Sequence, residues 1–170
     1  LWLKMGAKIA RLISGGQQEG GLRGGTTNVA GVCGMSAALS LAHSEMEKNN
    51  ARVRALRDMF VSAVLKEIQG TFLAGDINRR LPGNANIGFF GCRGEQIMIK
   101  LDMRGICVST GSACSSGASK PSPVLLSMGL SEEEAASCVR FTFGRENTEE
   151  EVKSAVKTLA EVVGEIRSMR

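Results

Sequence analysis

The sequence predicts an α/β fold in which long connector helices lead into a small sheet packed with helices. The prediction rests on apolar residues that recur at helical spacing, on short apolar runs between those stretches, and on glycine-marked turns that separate them. The clearest helix opens at a capping box, Thr148 to Glu151. It carries one apolar stripe, made of Val152, Ala155, Val156, Leu159, Val162, Val163, Ile166 and Met169.

Two further helices are predicted after Asn28, and together they would form the long connector. The first gathers Val29, Val32, Cys33, Leu39 and Met46 on one side, and the second gathers Val53, Leu56, Phe60, Val64 and Ile68. Three shorter helices follow. They cover Glu95–Met103, which stops before Gly105, then Ser122–Met128, which stops before Gly129, and a segment that begins at the capping box Ser131 to Glu134.

Short apolar runs predict the strands of the sheet. They lie at Leu1–Met5, Ile9–Ile13, Asn86–Phe90, Ile106–Val108 and Val139–Phe143. The first two look like the tail end of a sheet, and Ile106–Val108 reads as a buried strand that runs straight into the next loop. Leu81, Pro82 and Gly83 form a turn before the third.

Bulk properties exclude several classes of protein. The 170 residues suit one domain, or one domain plus a piece of another, and 43% hydrophobic with 22% charged residues is typical of a globular protein. A net charge of +4, scattered among acids, argues against nucleic-acid binding. Five cysteines without a secretory signal at the start predict a cytoplasmic protein with free thiols. Lys4, Lys8 and Arg11 interrupt the one apolar region that resembles a membrane span.

The segment from Val108 to Gly117 holds Cys114 among small, polar residues. A structural cysteine belongs on an apolar face, whereas a thiol that must meet a substrate and then a partner belongs on a pliable loop. Cys114 is therefore the predicted nucleophile. The alternative, an idle cysteine in a small-residue loop, is open on these residues alone.

The segment from Ser14 to Asn28 combines glycines, Arg23 and two hydroxyl residues directly before a predicted helix. Glycine backbones and a helix N-terminus favour an anion, and Thr26 can donate to a phosphate oxygen. The segment is neither a P-loop nor a dinucleotide fingerprint. A glycine hinge capped by Thr27 or Asn28 explains it equally well.

Arg140 is a lone cation in the predicted strand Val139–Phe143. A guanidinium binds a carboxylate through two parallel hydrogen bonds, so a substrate carboxylate is its predicted partner. The alternative is an arginine that pairs with an internal acid such as Glu146 or points into water.

Other chemistries fit the sequence poorly. His43 is the single histidine and stands among charged residues, which argues against catalytic triads and Cys/His dyads. The cysteine spacing predicts no metal site. Cys33, Cys107 and Cys138 are predicted to be small core residues.

Four motifs follow one another along nearly the whole chain, at Gly15–Asn28, Leu81–Asn86, Ser109–Ser116 and Val139–Arg145. Their order and intervals resemble the cysteine desulfurases, the NifS-like members of the class V aminotransferase family. The resemblance implies fold-type I architecture and pyridoxal 5'-phosphate (PLP) as cofactor. It also implies transfer of sulfur from L-cysteine to an enzyme cysteine as a persulfide, with release of L-alanine, for iron–sulfur cluster assembly.

The resemblance also implies roles for three residues. Cys114 matches the family's nucleophile, Arg140 its substrate-carboxylate arginine, and Thr26 the threonine that reaches the cofactor phosphate of the neighbouring subunit. A homodimer and a scaffold or carrier protein that accepts sulfur are the implied partners.

By the same resemblance, residues 1–27 are the tail end of a large PLP-binding domain, and residues 28–170 are a connector helix and C-terminal small domain. The cofactor's lysine, histidine and aspartate would belong to the large domain, ahead of this chain. Lys4 and Lys8 lie after the expected lysine, so we expect residues 1–170 alone to be inactive. The chain departs from the family pattern at Gln17, Gly20 and Gly88, where glycine, arginine and serine are usual.

Two other functions stay open. The first is a different class V aminotransferase or a selenocysteine lyase, in which the Cys114 loop would not matter for turnover. The second is a non-enzymatic thiol carrier or interaction module.

Overall fold

The computed structural model of the chain describes residues 2–111 and 121–169. These residues form two compact units, Leu1–Met46 and Glu47–Arg170. The predicted domain boundary between residues 1–27 and residues 28–170 stays a prediction.

In the first unit, residues 2–13 contain no strand, so the predicted strands at Leu1–Met5 and Ile9–Ile13 are wrong. A strand needs a neighbour for its backbone hydrogen bonds, and the described part of the chain pairs none with this segment. Trp2, Met5 and Leu12 are at least 85% exposed, so no packing compensates.

A single helix, α1, spans Val29–Glu67 where two helices were predicted. Asn28 caps it, because its Oδ1 accepts a hydrogen bond from the Gly31 backbone N–H at 2.9 Å. The segment between the two predicted apolar stripes contains Asn49 and Asn50, which have modest helix propensity but do not break a helix.

The second unit contains a three-stranded antiparallel sheet in the order β1-β2-β3. Its strands are β1 (Thr71–Leu73), β2 (Asn84–Phe89) and β3 (Cys138–Thr142). The predicted strands at 86–90 and 139–143 are thus confirmed with shifted ends. The predicted strand Ile106–Val108 is wrong, because these three residues are half-buried or exposed and none of them pairs with a described strand; the next residue, Ser109, forms a single bridge with Arg140 of β3.

Three short helices and one long helix complete this unit. They are α2 (Gly94–Asp102), α3 (Pro123–Ser127), α4 (Glu132–Ser137) and α5 (Glu149–Ser168). Both predicted capping boxes are formed, at the starts of α4 and α5. The stripe on α5 is buried as predicted except at its two weakest members: Ala155 is half-buried, and Met169 is exposed beyond the helix end.

The sheet has a thickly covered face and a partly covered one. Residues from α1, β2, α2, β3 and α5 form the main core, which includes Phe60, Ile87, Ile97, Val139 and Leu159. On the other face a small cluster joins α3 and α4 to the sheet through Ala74, Leu125, Ala135 and Cys138. That face is therefore covered at the Cys138 end of β3 and open further along the strand. Among the helices described, none is long and apolar enough to cross a membrane.

The cysteines divide into exposed and buried thiols. Cys138 is buried, as predicted, whereas Cys33 and Cys107 are exposed, so the prediction that they are core residues is wrong. Cys107 is exposed because it lies on the irregular segment that replaces the predicted strand. Burial, with a smaller contribution from the Glu134 carboxylate, raises the pKa of Cys138 to about 11.

Thiol accessibility gives the first prediction. At neutral pH, iodoacetamide should alkylate Cys107 and leave Cys138 unmodified, because Cys138 is shielded and its thiol stays protonated until the pH nears its pKa of about 11. Peptide mass spectrometry of the folded protein measures both sites, and a denatured sample is the control in which both react. Equal labelling of the two thiols in the folded protein would contradict the burial of Cys138.

Gly88 gives the second prediction. Phe72 is its cross-strand partner, and a Cβ on Gly88 would lie 2.2 Å from ring carbons of Phe72. We expect Gly88→Ala to lower the free energy of unfolding by about 1–3 kcal/mol, because the Phe72 ring must leave its place beside Phe90. Denaturant titration measures the loss.

The matched control repeats Gly88→Ala in a Phe72→Ala background. There the ring that obstructs the new methyl group is absent, so the substitution should cost much less. An equal loss of stability in both backgrounds would show that Phe72 is not the reason for glycine at position 88.

Candidate active site

The strand alternation of β3 sends Arg140 to the open face of the sheet. Val139 and Phe141 on either side of it are buried in the main core, while Arg140 is exposed. Cys138 occupies the same face as Arg140 but is covered by the small cluster around α3 and α4. Arg140 therefore stands where that cover ends.

A cavity of about 300 Å³ opens beside Arg140. Its walls come from the β1–β2 connection, from β2, from α3 and from both ends of the segment that holds Cys114. The polar and loop residues that line it include Asp76, Arg79, Arg80, Asn86, Gly111 and Ser122.

The cavity carries an excess of positive charge. Arg79, Arg80 and Arg140 line it against one carboxylate, Asp76, whose Oδ1 already accepts hydrogen bonds from the backbone N–H groups of residues 78 and 79. Burial, followed by the nearby Arg57 guanidinium, lowers the pKa of Arg80, and Asp76 acts in the opposite direction. A cationic concave surface of this kind favours an anionic ligand.

In the described ranges, no acidic side chain neutralises Arg140. Within residues 2–111 and 121–169 it forms no ion pair or side-chain hydrogen bond, and Glu146 pairs instead with Arg145, at 2.9 Å between Nε and Oε1. The alternative of an Arg140–Glu146 pair is therefore wrong. The guanidinium is available to a ligand.

The segment with Cys114 starts and ends at this cavity. The Ser109 N–H donates to the Arg140 carbonyl at 3.1 Å, and the Arg140 N–H donates to the Ser109 carbonyl at 2.7 Å. A Cβ placed on Gly111 would lie 3.8 Å from the Cβ of Ser122, so the two ends are adjacent.

Cys114 itself lies outside the described residues. It follows Gly111 by three positions, and three extended residues span at most about 10 Å. Its reach from the wall of the Arg140 cavity is limited to that distance.

Thr26 belongs to the first unit, and its side chain is exposed. The loop before it closes on itself, since Gln18 pairs with Arg23 and the Gly24 N–H donates to the Ile13 carbonyl at 2.9 Å. In the described part of the first unit the Thr26 hydroxyl has no hydrogen-bond partner, which fits a group that donates to a phosphate. In the described part of the first unit, the end of the predicted anion-binding loop is thus exposed, and the Thr26 hydroxyl is available to a ligand.

Metal chemistry has no support in the described ranges. Neither residues 2–111 nor residues 121–169 hold a group of three or more His, Cys, Asp or Glu side chains that could bind a metal ion. His43 is exposed on α1.

Sequence reasoning missed the residues around Arg140. Asp76, Arg79, Arg80 and Asn86 were not assigned a role, although Asn86 ends the Leu81–Asn86 motif. Asn86 is a polar residue at an alternate position of a strand, and this pattern could have indicated a side chain on the open face of the sheet. Its position opposite Arg140, however, depends on a strand register that the sequence does not show.

Known proteins resemble this chain over nearly its whole length. The chain is 42% identical to cysteine desulfurase IscS 1 of Archaeoglobus fulgidus, over 99% of this chain and 44% of that protein. It is 38% identical to cysteine desulfurase NifS of Azotobacter vinelandii, over 99% of this chain and 42% of the relative. The chain thus spans about two fifths of the length of the curated relatives it matches.

Solved structures confirm the predicted fold class. A NifS-like protein superposes with a TM-score of 0.82 at 31% identity, over 96% of this chain and 41% of that chain. The NifS-like protein of Rickettsia africae superposes with a TM-score of 0.77 at 28% identity, over 93% and 41%. The aminotransferase class-V family model matches residues 5–154. The resemblance seen in the four motifs is confirmed, and the chain belongs to the aminotransferase class-V family.

Proposed function

We propose that the protein to which this chain belongs is a PLP-dependent cysteine desulfurase. It moves the sulfur of L-cysteine onto Cys114 as a persulfide and releases L-alanine. One observation carries the proposal: Arg140, whose guanidinium has no ion-pair or side-chain hydrogen-bond partner among residues 2–111 and 121–169, lines the same cationic cavity as Gly111 and Ser122, which flank Cys114 in the sequence.

Arg140 binds and orients the substrate. Its planar guanidinium takes the substrate carboxylate through two parallel hydrogen bonds, and no internal acid in the described residues competes for it. The backbone hydrogen bonds of Arg140 to Ser109 fix the base of that side chain beside the start of the Cys114 segment. The substrate is thereby held beside the residues that lead to Cys114, which shortens the path of the nucleophile to it.

Cys114 supplies the nucleophile. Its thiolate forms an S–S bond with the substrate sulfur while the Cβ–Sγ bond of the substrate breaks, and a proton added to that Cβ gives L-alanine. The guanidinium groups of Arg79, Arg80 and Arg140 line the cavity and would favour the thiolate form of a cysteine that enters it. None of the cysteines in the described residues lines the Arg140 cavity, so none of them is a candidate for this role.

PLP is the proposed cofactor, and Thr26 is its proposed ligand in this chain. The exposed Thr26 hydroxyl would donate to the phosphate of a cofactor bound mainly by the neighbouring subunit of a homodimer. When bound, PLP withdraws electrons from the amino-acid substrate and so makes the Cβ–Sγ bond easier to break.

The persulfide would then pass to an acceptor. We propose a scaffold or carrier protein of iron–sulfur cluster assembly, in the cytoplasm, because a second molecule must take the sulfur from Cys114 before that thiol can react again. The proposal includes no role for nucleic acid or membrane.

The test replaces the nucleophile. In the full-length protein loaded with PLP, Cys114→Ala should reduce persulfide and L-alanine formation from L-cysteine at least about a hundredfold, because the sulfur has no acceptor. Cys107→Ala, which removes an exposed thiol that does not line the Arg140 cavity, should leave the rate unchanged. Mass spectrometry of the protein and quantification of alanine measure both effects.

Three results would contradict this proposal. If Cys114→Ala keeps full alanine release, the protein is a different class V enzyme, such as a selenocysteine lyase. If residues 1–170 alone release alanine when given PLP and L-cysteine, the assignment of the cofactor lysine to another part of the protein is wrong. If those residues alone take up a persulfide without turnover, they act as a thiol carrier.

A further inference from the structure

Asn86 lies directly opposite Arg140 in the sheet. The two residues are Cα partners in the antiparallel pairing of β2 with β3, so their side chains leave the same face of the sheet. Directly opposed residues have Cβ atoms about 4.5–5.5 Å apart. Both side chains line the cavity described above. A small ligand held by Arg140 is therefore within reach of the Asn86 amide.

The Asn86 side chain contains an acceptor without a donor. Its Oδ1 is buried, and no group in the described residues donates a hydrogen bond to it. Buried carbonyl oxygens of this kind are nearly always paired, because the unpaired state forfeits the hydrogen bond that water would make. One guanidinium nitrogen of Arg80, which lines the same cavity, is also buried and has no hydrogen-bond partner among the residues that the structure describes.

The wall that carries Asn86 is fastened by its backbone and by Arg80. The Asn86 carbonyl accepts from the Ala74 N–H at 2.8 Å, and Arg80 Nη2 donates to the Ala74 carbonyl at 2.7 Å. Arg80 Nε donates to the Asp76 carbonyl at 2.7 Å. The unpaired amide thus stands on a wall held in place by hydrogen bonds, as a preorganised ligand-binding group does.

The ligand that completes these groups has a defined chemistry. It carries a carboxylate for Arg140 and a hydrogen-bond donor close to that carboxylate for Asn86, and the L-cysteine of the proposed function, an α-amino acid, provides both. We propose that Asn86 is a substrate-positioning residue whose amide oxygen accepts a hydrogen bond from the amino acid held by Arg140. This inference rests on the proposed function and adds to it a residue that orients the substrate.

The structure predicts that replacing Asn86 weakens substrate binding without weakening the fold. Its Oδ1 has no partner in the described residues, so an apolar residue of similar size should leave the fold as stable or make it more stable. The same replacement removes an acceptor that the substrate uses. Replacement of a residue with a merely structural role would lower stability and would not impair substrate binding alone.

The experiment uses Asn86→Leu and Asn86→Ala in the full-length protein loaded with PLP. We expect kcat/KM for L-cysteine to fall about tenfold in both variants, which is the loss of one hydrogen bond to the substrate. The melting temperature without substrate should not fall in Asn86→Leu. Asn78→Ala, an exposed asparagine of the β1–β2 connection, is the control and should change neither quantity.

Each other result overturns the inference. Unchanged kcat/KM in both variants would mean that the amide does not touch the substrate. A lowered melting temperature in both would mean that the amide supports the fold. If the unmodified protein does not convert L-cysteine to L-alanine, the proposed function itself fails, and this outcome is distinct from the first two.

Discussion

The reciprocal backbone hydrogen bonds between Ser109 and Arg140 are the constraint on which the candidate site depends. They pair β3 on the edge that β2 does not occupy, and they do so at the residue whose guanidinium faces the cavity. Arg140 is thus bordered by Asn86 on one side and by the start of the Cys114 segment on the other. In the described backbone, these two hydrogen bonds join β3 to the residues that lead towards Cys114.

The availability of Arg140 follows from how unequally the sheet is covered. The long helices α1 and α5 bury one face in a continuous core, whereas α3 and α4 cover the other face only around Cys138, Ala74 and Leu125. A cation two positions from a buried cysteine therefore remains exposed. The same partial cover raises the pKa of Cys138 and makes that thiol a poor nucleophile, which leaves the chemistry to a thiol elsewhere.

The sequence predicted correctly those helices whose ends and buried face are determined by residues within the helix itself. The capping boxes at Ser131 and Thr148 and the stripe of α5 are such cases, because adjacent side chains and backbone groups satisfy one another. Predictions failed where the partner of a segment decides its structure. The apolar run at Ile9–Ile13 has no strand to pair with in the described residues, and Ile106–Val108 pairs with none there either, because the single bridge to β3 is formed by Ser109.

The candidate site shows the same limit. Arg140 was predictable, because a lone cation in an apolar strand calls for an anion, whereas Asn86 was not, because its meaning comes from the register that places it opposite Arg140. Cys114 was predicted from its small-residue surroundings and stays a prediction, since it lies outside the described residues.

The most direct test of the account is the KM for L-cysteine of Arg140→Lys in the full-length protein loaded with PLP. A lysine keeps the charge but loses the two parallel hydrogen bonds, so the account predicts a KM raised at least about tenfold and an unchanged melting temperature. Arg54→Lys, at an exposed position on α1, serves as the charge-matched control. An unchanged KM for Arg140→Lys would contradict the claim that this guanidinium binds the substrate carboxylate.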